Sequence, residues 1–140
     1  MVAMAWWNPI STSELPAPAE SEPEEKQQLK KVFKRAERAT RKHKLYLQKN
    51  FRISELANRL GESSRIVSRA INLYAKGNFN SFVNEFRVRH AERLIETGKL
   101  DKYTMDAIAD EAGFSNKVSF NKAFRSIIGM SPSEFRDKHS

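Results

Sequence analysis

The sequence contains no cysteine in 140 residues. That excludes disulfides, thiolate nucleophiles and cysteine-based zinc sites, and it suits a reducing compartment. The three histidines, His43, His90 and His139, are scattered and lack metal-ligand spacing. Apolar runs are short, and none approaches the roughly 20 residues needed to cross a bilayer. No segment alternates in the manner of a strand, and β-branched residues are sparse. There is no glycine loop to cradle a phosphate. Asp106, Asp110 and Glu111 read as helix carboxylates without a matched acid–base partner. The expectation is therefore an all-α chain with no catalytic centre, no cofactor and no metal.

Positive charge is missing from one end. The first 25 residues hold no Lys or Arg but include Glu14, Glu20, Glu22, Glu24 and Glu25. All 25 basic residues follow, so the net charge of +8 understates how basic the body is. A basic body attracts polyanions. Residues 1–24 carry Pro9, Pro16, Pro18 and Pro23 among Ser, Ala and Glu, which is linker composition. They read as a flexible tether, and residues 25–140 as the folded domain. "MVAMAWW" lacks the positive start of a signal peptide. Trp6 and Trp7 fit either the interfacial end of a membrane helix whose upstream part precedes this chain or a short apolar terminus. A cytoplasmic location follows, either free or as the cytoplasmic tail of a membrane-anchored regulator.

Helical periodicity begins at Glu24. Leu29, Val32, Phe33, Ala36 and Thr40 share a face, and the helix is expected to reach about Gln48. A first helix-turn-helix pattern covers about 52–75. Leu56, Ala57 and Leu60 face inward, Ser54 is the expected cap, and Gly61 is placed to end the helix at positive φ. Ser63 then caps a second helix with Val67, Ala70, Ile71 and Tyr74 inside and Ser64, Arg65, Ser68, Arg69 and Asn72 outside. The pattern recurs over about 104–127, with Ile108 and Ala109 repeating Leu56 and Ala57, and Gly113 repeating Gly61. Thr104 and Asn116 are the expected caps. Phe120, Ala123, Phe124 and Ile127 form the inner face of its second helix; Asn116, Lys117, Val118, Asn121, Lys122 and Arg125 form the outer one. A repeat that keeps both the turn and a basic outer face is a strong signal. Between the copies, Phe82, Phe86, Ala91, Leu94 and Ile95 predict a connecting helix over about 81–97, capped at Asn80 or Ser81 and closed by Gly98. About 17 residues span about 25 Å, against about 34 Å for one turn of duplex.

"AIADEAGFSNKVSFNKAFRSIIGMSPSEFR" resembles the signature of the AraC/XylS family of bacterial transcription regulators. The matching residues are Ile108, Ala109, Gly113, Phe114, Phe120, Phe124, Gly129, Pro132, Phe135 and Arg136. Leu56, Ala57, Ser63, Arg69, Phe82, Arg87 and the "AERLI" of 91–95 extend the resemblance over about residues 42–136. It implies about seven helices in two small helix-turn-helix bundles joined by a long connecting helix. It also implies sequence-specific reading of double-stranded DNA in two successive major grooves. RNA polymerase is an implied partner, and so is an upstream sensor or membrane domain. Val118 is apolar where many relatives of the family carry Gln or Ser, and Ser68 is short where a longer polar side chain is frequent, which departs from direct readout at those two positions. The other reading of the same pattern is a helical protein-interaction module that contacts RNA polymerase or a sensor partner with little base readout.

Overall fold

The computed structural model describes residues 23–98 and 103–139. Most of the expected tether, with Trp6 and Trp7, lies outside them. The described residues form seven α-helices and one 3-10 turn.

Helix α1 (Glu24–Lys42) starts behind Pro23, an N-cap residue with φ −52° and an extended ψ of 140° that makes no side-chain cap. Glu24 and Glu25 sit in its first turn and Arg41 and Lys42 in its last, which complements the helix dipole. The helix does not continue to Gln48. Its inward stripe would next reach the polar positions His43 and Lys44, whereas the apolar Leu45 and Tyr46 would turn outward. The chain instead breaks at Lys44, which takes a left-handed φ of 50°, and a 3-10 turn (Leu45–Leu47) buries Leu45 and Tyr46.

Helix α2 (Ile53–Leu60) begins one residue before Ser54, behind Arg52, with no side-chain cap. Ser54 therefore lies inside the helix and is not its cap. Gly61 ends the helix at φ 69°. Helix α3 (Ser64–Tyr74) is capped by Ser63, whose side chain accepts from the Ile66 N–H at 3.1 Å. Helix α4 (Phe79–Glu96) starts earlier than expected, because Asn78 accepts from the Ser81 N–H at 3.0 Å and leaves Asn80 and Ser81 within the first turn. Helix α5 (Met105–Glu111) is capped by Thr104, and α6 (Lys117–Ile128) by Asn116. Helix α7 (Pro132–His139) opens with a reciprocal cap: Ser131 Oγ accepts from the Glu134 N–H, and a Glu134 carboxylate oxygen accepts from the Ser131 N–H. The Ser131 N–H bond, helped by the Ser131 hydroxyl, lowers the pKa of the exposed Glu134 carboxyl.

Two apolar clusters result. The first gathers α1, the 3-10 turn, α2, α3 and the start of α4. The second gathers the rest of α4 with α5, α6 and α7. Helix α4 belongs to both: Phe82 and Val83 pack into the first, and Val88, Ala91 and Ile95 into the second. The two bundles also touch directly beside α4. Arg87 donates from Nε to the Tyr46 carbonyl and from Nη2 to the Gln48 carbonyl, each at 2.7 Å, while its guanidinium lies 5.8 Å from the Phe114 ring centre. Burial pulls the Arg87 pKa down from its ordinary value. Gly113 packs against the same Tyr46 carbonyl, and Lys49 pairs with Asp110 across the joint.

Candidate nucleic-acid interface

The two bundles present equivalent helices. In α3, Val67, Ala70 and Ile71 are buried, Tyr74 is half-buried, and Ser64, Arg65, Arg69 and Asn72 are exposed. Ser68 is half-buried, so its short hydroxyl stands lower on the surface than its neighbours. In α6, Phe120, Ala123 and Phe124 are buried, and Asn116, Lys117, Val118, Asn121, Lys122 and Arg125 are exposed. The inner and outer faces thus fall where the 3.6-residue period puts them.

What holds α6 is a file of aromatic rings. Phe114 meets Phe120 edge-on at 5.3 Å, Phe120 meets Phe124 at 5.7 Å, and Phe124 meets Phe135 of α7 at 5.6 Å. Each such pair adds about 0.5–1.5 kcal/mol to the burial of its rings. Ala57 of α2 is buried in the first cluster, and Ala109 of α5, its counterpart in the repeat, is buried in the second.

The polar groups on these faces are already in use to different degrees. Asn116 Oδ1 accepts from the Ser119 N–H at 2.8 Å, so its carbonyl is committed to starting the helix. Arg69 is paired with Glu25 of α1. Lys117 stands 3.5 Å from Asp106 of α5. Among the described residues, Arg65 and Lys122 form no ion pair. The carboxylates of α5 are therefore not bare: Asp106 and Asp110 each face a lysine. Exposed pairs of this kind are worth about 0–1 kcal/mol, so a polyanion can displace them.

Sequence periodicity did not reveal two contacts that matter here. One is the Glu25–Arg69 pair, which brings the acidic start of the folded domain onto α3. The other is the Arg87 joint. A signal for the second existed, since Arg87 is a charged residue between the two apolar stretches of α4.

A groove of about 750 Å³ lies between the bundles, lined by Phe33, Tyr74 and Phe86 and by Arg41, Arg89 and Arg93 among others. Its carboxylates, Glu37 and Glu85, sit beside Lys34 and Arg89 respectively, and Arg41 lies 5.6 Å from the centre of the Phe86 ring. Such charge-matched pairs do not make an acid–base couple. Among the described residues no helix is long and apolar enough to cross a membrane.

A family model described as a helix-turn-helix domain matches residues 56–138. The Msm operon regulatory protein of Streptococcus mutans is 26% identical over 87 residues, which cover 62% of this chain and 30% of that protein. The chain spans 30% or less of the length of the curated relatives it matches. Among solved structures, the DNA-binding domain of AdpA, described as the global transcriptional factor in complex with a target DNA, superposes with a TM-score of 0.62. It is 26% identical, and the match covers 74% of this chain and 87% of that one. A Chromobacterium violaceum transcriptional regulator described as containing an AraC-type DNA-binding domain gives a TM-score of 0.65 at 18% identity, over 78% of this chain and 92% of that one. This last likeness concerns the fold, and the fold is the one described above, two helix pairs on one connecting helix. The chain belongs to the helix-turn-helix family whose model it matches over residues 56–138, in keeping with its AraC/XylS-like signature.

Proposed function

We propose that this domain is a sequence-specific reader of double-stranded DNA and regulates transcription from the cytoplasm. The observation that carries the reading is the pairing of two exposed, basic-rimmed helices on a common frame. Helix α4 has 18 residues. At about 1.5 Å per residue it is about 27 Å long, so helices at its two ends suit successive major grooves, about 34 Å apart. The capped starts of α3 and α6 present backbone N–H groups and positive dipole ends toward phosphates.

Labour is divided between the two helices. Arg65 and Arg69 carry planar forks that match guanine O6 and N7, each good bidentate contact giving about 1–3 kcal/mol of discrimination. Asn121 can pair with adenine through N6 and N7. Lys117, Lys122 and Arg125 act more on phosphates and groove fit, with Ser64, Ser68 and Asn72 completing the first face. RNA polymerase is the expected protein partner. The small share of each relative that the chain spans fits a domain linked to an upstream sensor.

The test is a salt series on two variants, each with operator and scrambled duplex. Arg69→Ala should lower specific affinity by about 1–3 kcal/mol and relax preference in one half of the site. Lys122→Ala should weaken both duplexes alike and flatten the log–log salt slope by about one unit. Equal affinity of the unaltered chain for operator and scrambled DNA would refute the function outright, and a swap of the two phenotypes would refute the division of labour.

A further inference from the structure

Val118 is the anomaly of the interface. It is 76% exposed, far more than Leu73 at 46% or Tyr103 at 36%, the other large apolar side chains that face solvent among the described residues. It stands second in α6, with Asn121, Lys122 and Arg125 following at the i+3, i+4 and i+7 positions of one stripe. The stripe is polar on every side of it: Asn116, Lys117, Ser119 and Asn121 are all exposed. An isolated apolar side chain in that setting makes no apolar patch on which a protein partner can dock. A β-branched residue is also a weak choice for an exposed helical position, since it loses side-chain rotamer freedom there. Neither the core nor the helix explains Val118.

The base edges of the major groove present one apolar group, the 5-methyl of thymine. We infer that Val118 reads a thymine methyl, and so gives the second recognition helix a specificity that needs no hydrogen bond. This rests on the DNA-reading function proposed above. The placement is chemically coherent with Asn121 one turn later. An amide that pairs with adenine and an isopropyl group that covers a thymine methyl both select A·T pairs, and neighbours on one helical stripe face neighbouring pairs. The second half of the operator should therefore contain an A·T-rich step where the start of α6 enters the groove. Because the side chain is rigid at χ1, its two methyl groups present a fixed surface and lose little freedom on contact.

The experiment removes the thymine methyl and nothing else. Duplexes enriched by the full chain from a random pool are resynthesised with deoxyuridine replacing each thymine of the second half-site in turn. Deoxyuridine pairs as thymine does but lacks the 5-methyl. At one position the unaltered chain should lose affinity about fourfold, the effect of withdrawing one methyl group from an apolar contact. Val118→Ser should bind the thymine duplex about as weakly as the unaltered chain binds the deoxyuridine one, and should be indifferent to the exchange. Val118→Thr, which keeps one methyl, should retain part of the sensitivity. Thermal unfolding should be nearly unchanged in both variants because the position is exposed. If no deoxyuridine substitution weakens the unaltered chain, the inference is overturned. It is equally overturned if Val118→Ser stays as sensitive as the unaltered chain, since another residue then reads the methyl. Failure of the full chain to enrich any duplex would instead sink the DNA-reading function, and this inference with it.

Discussion

Replacing Gly113 by alanine separates two roles that glycine plays in this fold. Its φ is 96°, a region where a side chain is strained. For a residue with a Cβ the left-handed region costs about 1–2 kcal/mol. The second role is contact. A Cβ on Gly113 would lie closer than 3.0 Å to the Tyr46 carbonyl oxygen, at 3.0 Å from Leu47 Cα and at 3.1 Å from Arg87 Nε. Backbone cannot swing away as a side-chain tip does, so the joint must open. Overpacking of a tight site costs about 1–3 kcal/mol. The total of about 2–5 kcal/mol would lower the melting temperature by roughly 10–25 °C in a domain of this size. Gly61 supplies the control. Its φ is 69°, and a Cβ there would meet nothing within 4 Å. Gly61→Ala keeps the strain without the collision, and the stiffer unfolded chain affects both variants alike. Urea unfolding of the two variants side by side gives the comparison. Gly113→Ala should be the less stable by the collision alone, about 1–3 kcal/mol. If the two variants unfold together, the packing of Gly113 on the Tyr46 carbonyl does not stabilise the joint, and the reasoning fails.

His90 should make stability depend on pH. Burial, followed by repulsion from Arg93, lowers its pKa, while Glu111 acts the other way and Lys44 adds a smaller repulsion. The folded value lies below the unfolded one, so stability is complete above about 6.5 and declines as pH falls toward the folded value. Melting scans from pH 8 to pH 5 should show that decline, His90→Gln should lessen it, and an unchanged slope in the variant would exclude His90 as its source. Glu25→Gln removes the carboxylate paired with Arg69. It should raise affinity for scrambled duplex more than two-fold at low salt, by freeing Arg69 and deleting a negative charge near phosphates; unchanged affinity across the salt series would mean that the pair has no influence on DNA binding.

The architecture was legible wherever a period carried it. Two copies of the same inner and outer faces, Gly61 with Gly113 at the turns, and Ser63, Thr104 and Asn116 at the caps all stand where the residues imply. Boundaries were less legible because several residues could cap. Asn78 starts α4 in place of Asn80 or Ser81, and α2 begins without any side-chain cap. The end of α1 was hidden for another reason. Lys44 gives no sign in sequence that it will take a left-handed conformation, and only the burial of Leu45 and Tyr46 accounts for it. The α7 cap was missed although its signal is present: Ser131, Pro132 and Glu134 form the S-x-x-E pattern with proline at its first helical position. The candidate reading residues were legible as an outer face. Their partners were not, since Arg69 meets Glu25 and Lys117 meets Asp106 across helices, beyond what any one helix's period can show.

The joint formed by Arg87, Gly113 and the Tyr46 carbonyl also fixes an angle. Duplex DNA turns about once every 10–10.5 base pairs, so each added base pair rotates the second half of a target against the first by about 35°. Two heads locked to one another cannot follow that rotation. For the DNA reader proposed above, the joint would set the length of the target, while the reading residues would set its letters. Changing a reading residue alters which bases are preferred but leaves their spacing intact. Loosening the joint should do the reverse: the preferred bases should stay the same, and targets with one base pair more or fewer should become acceptable.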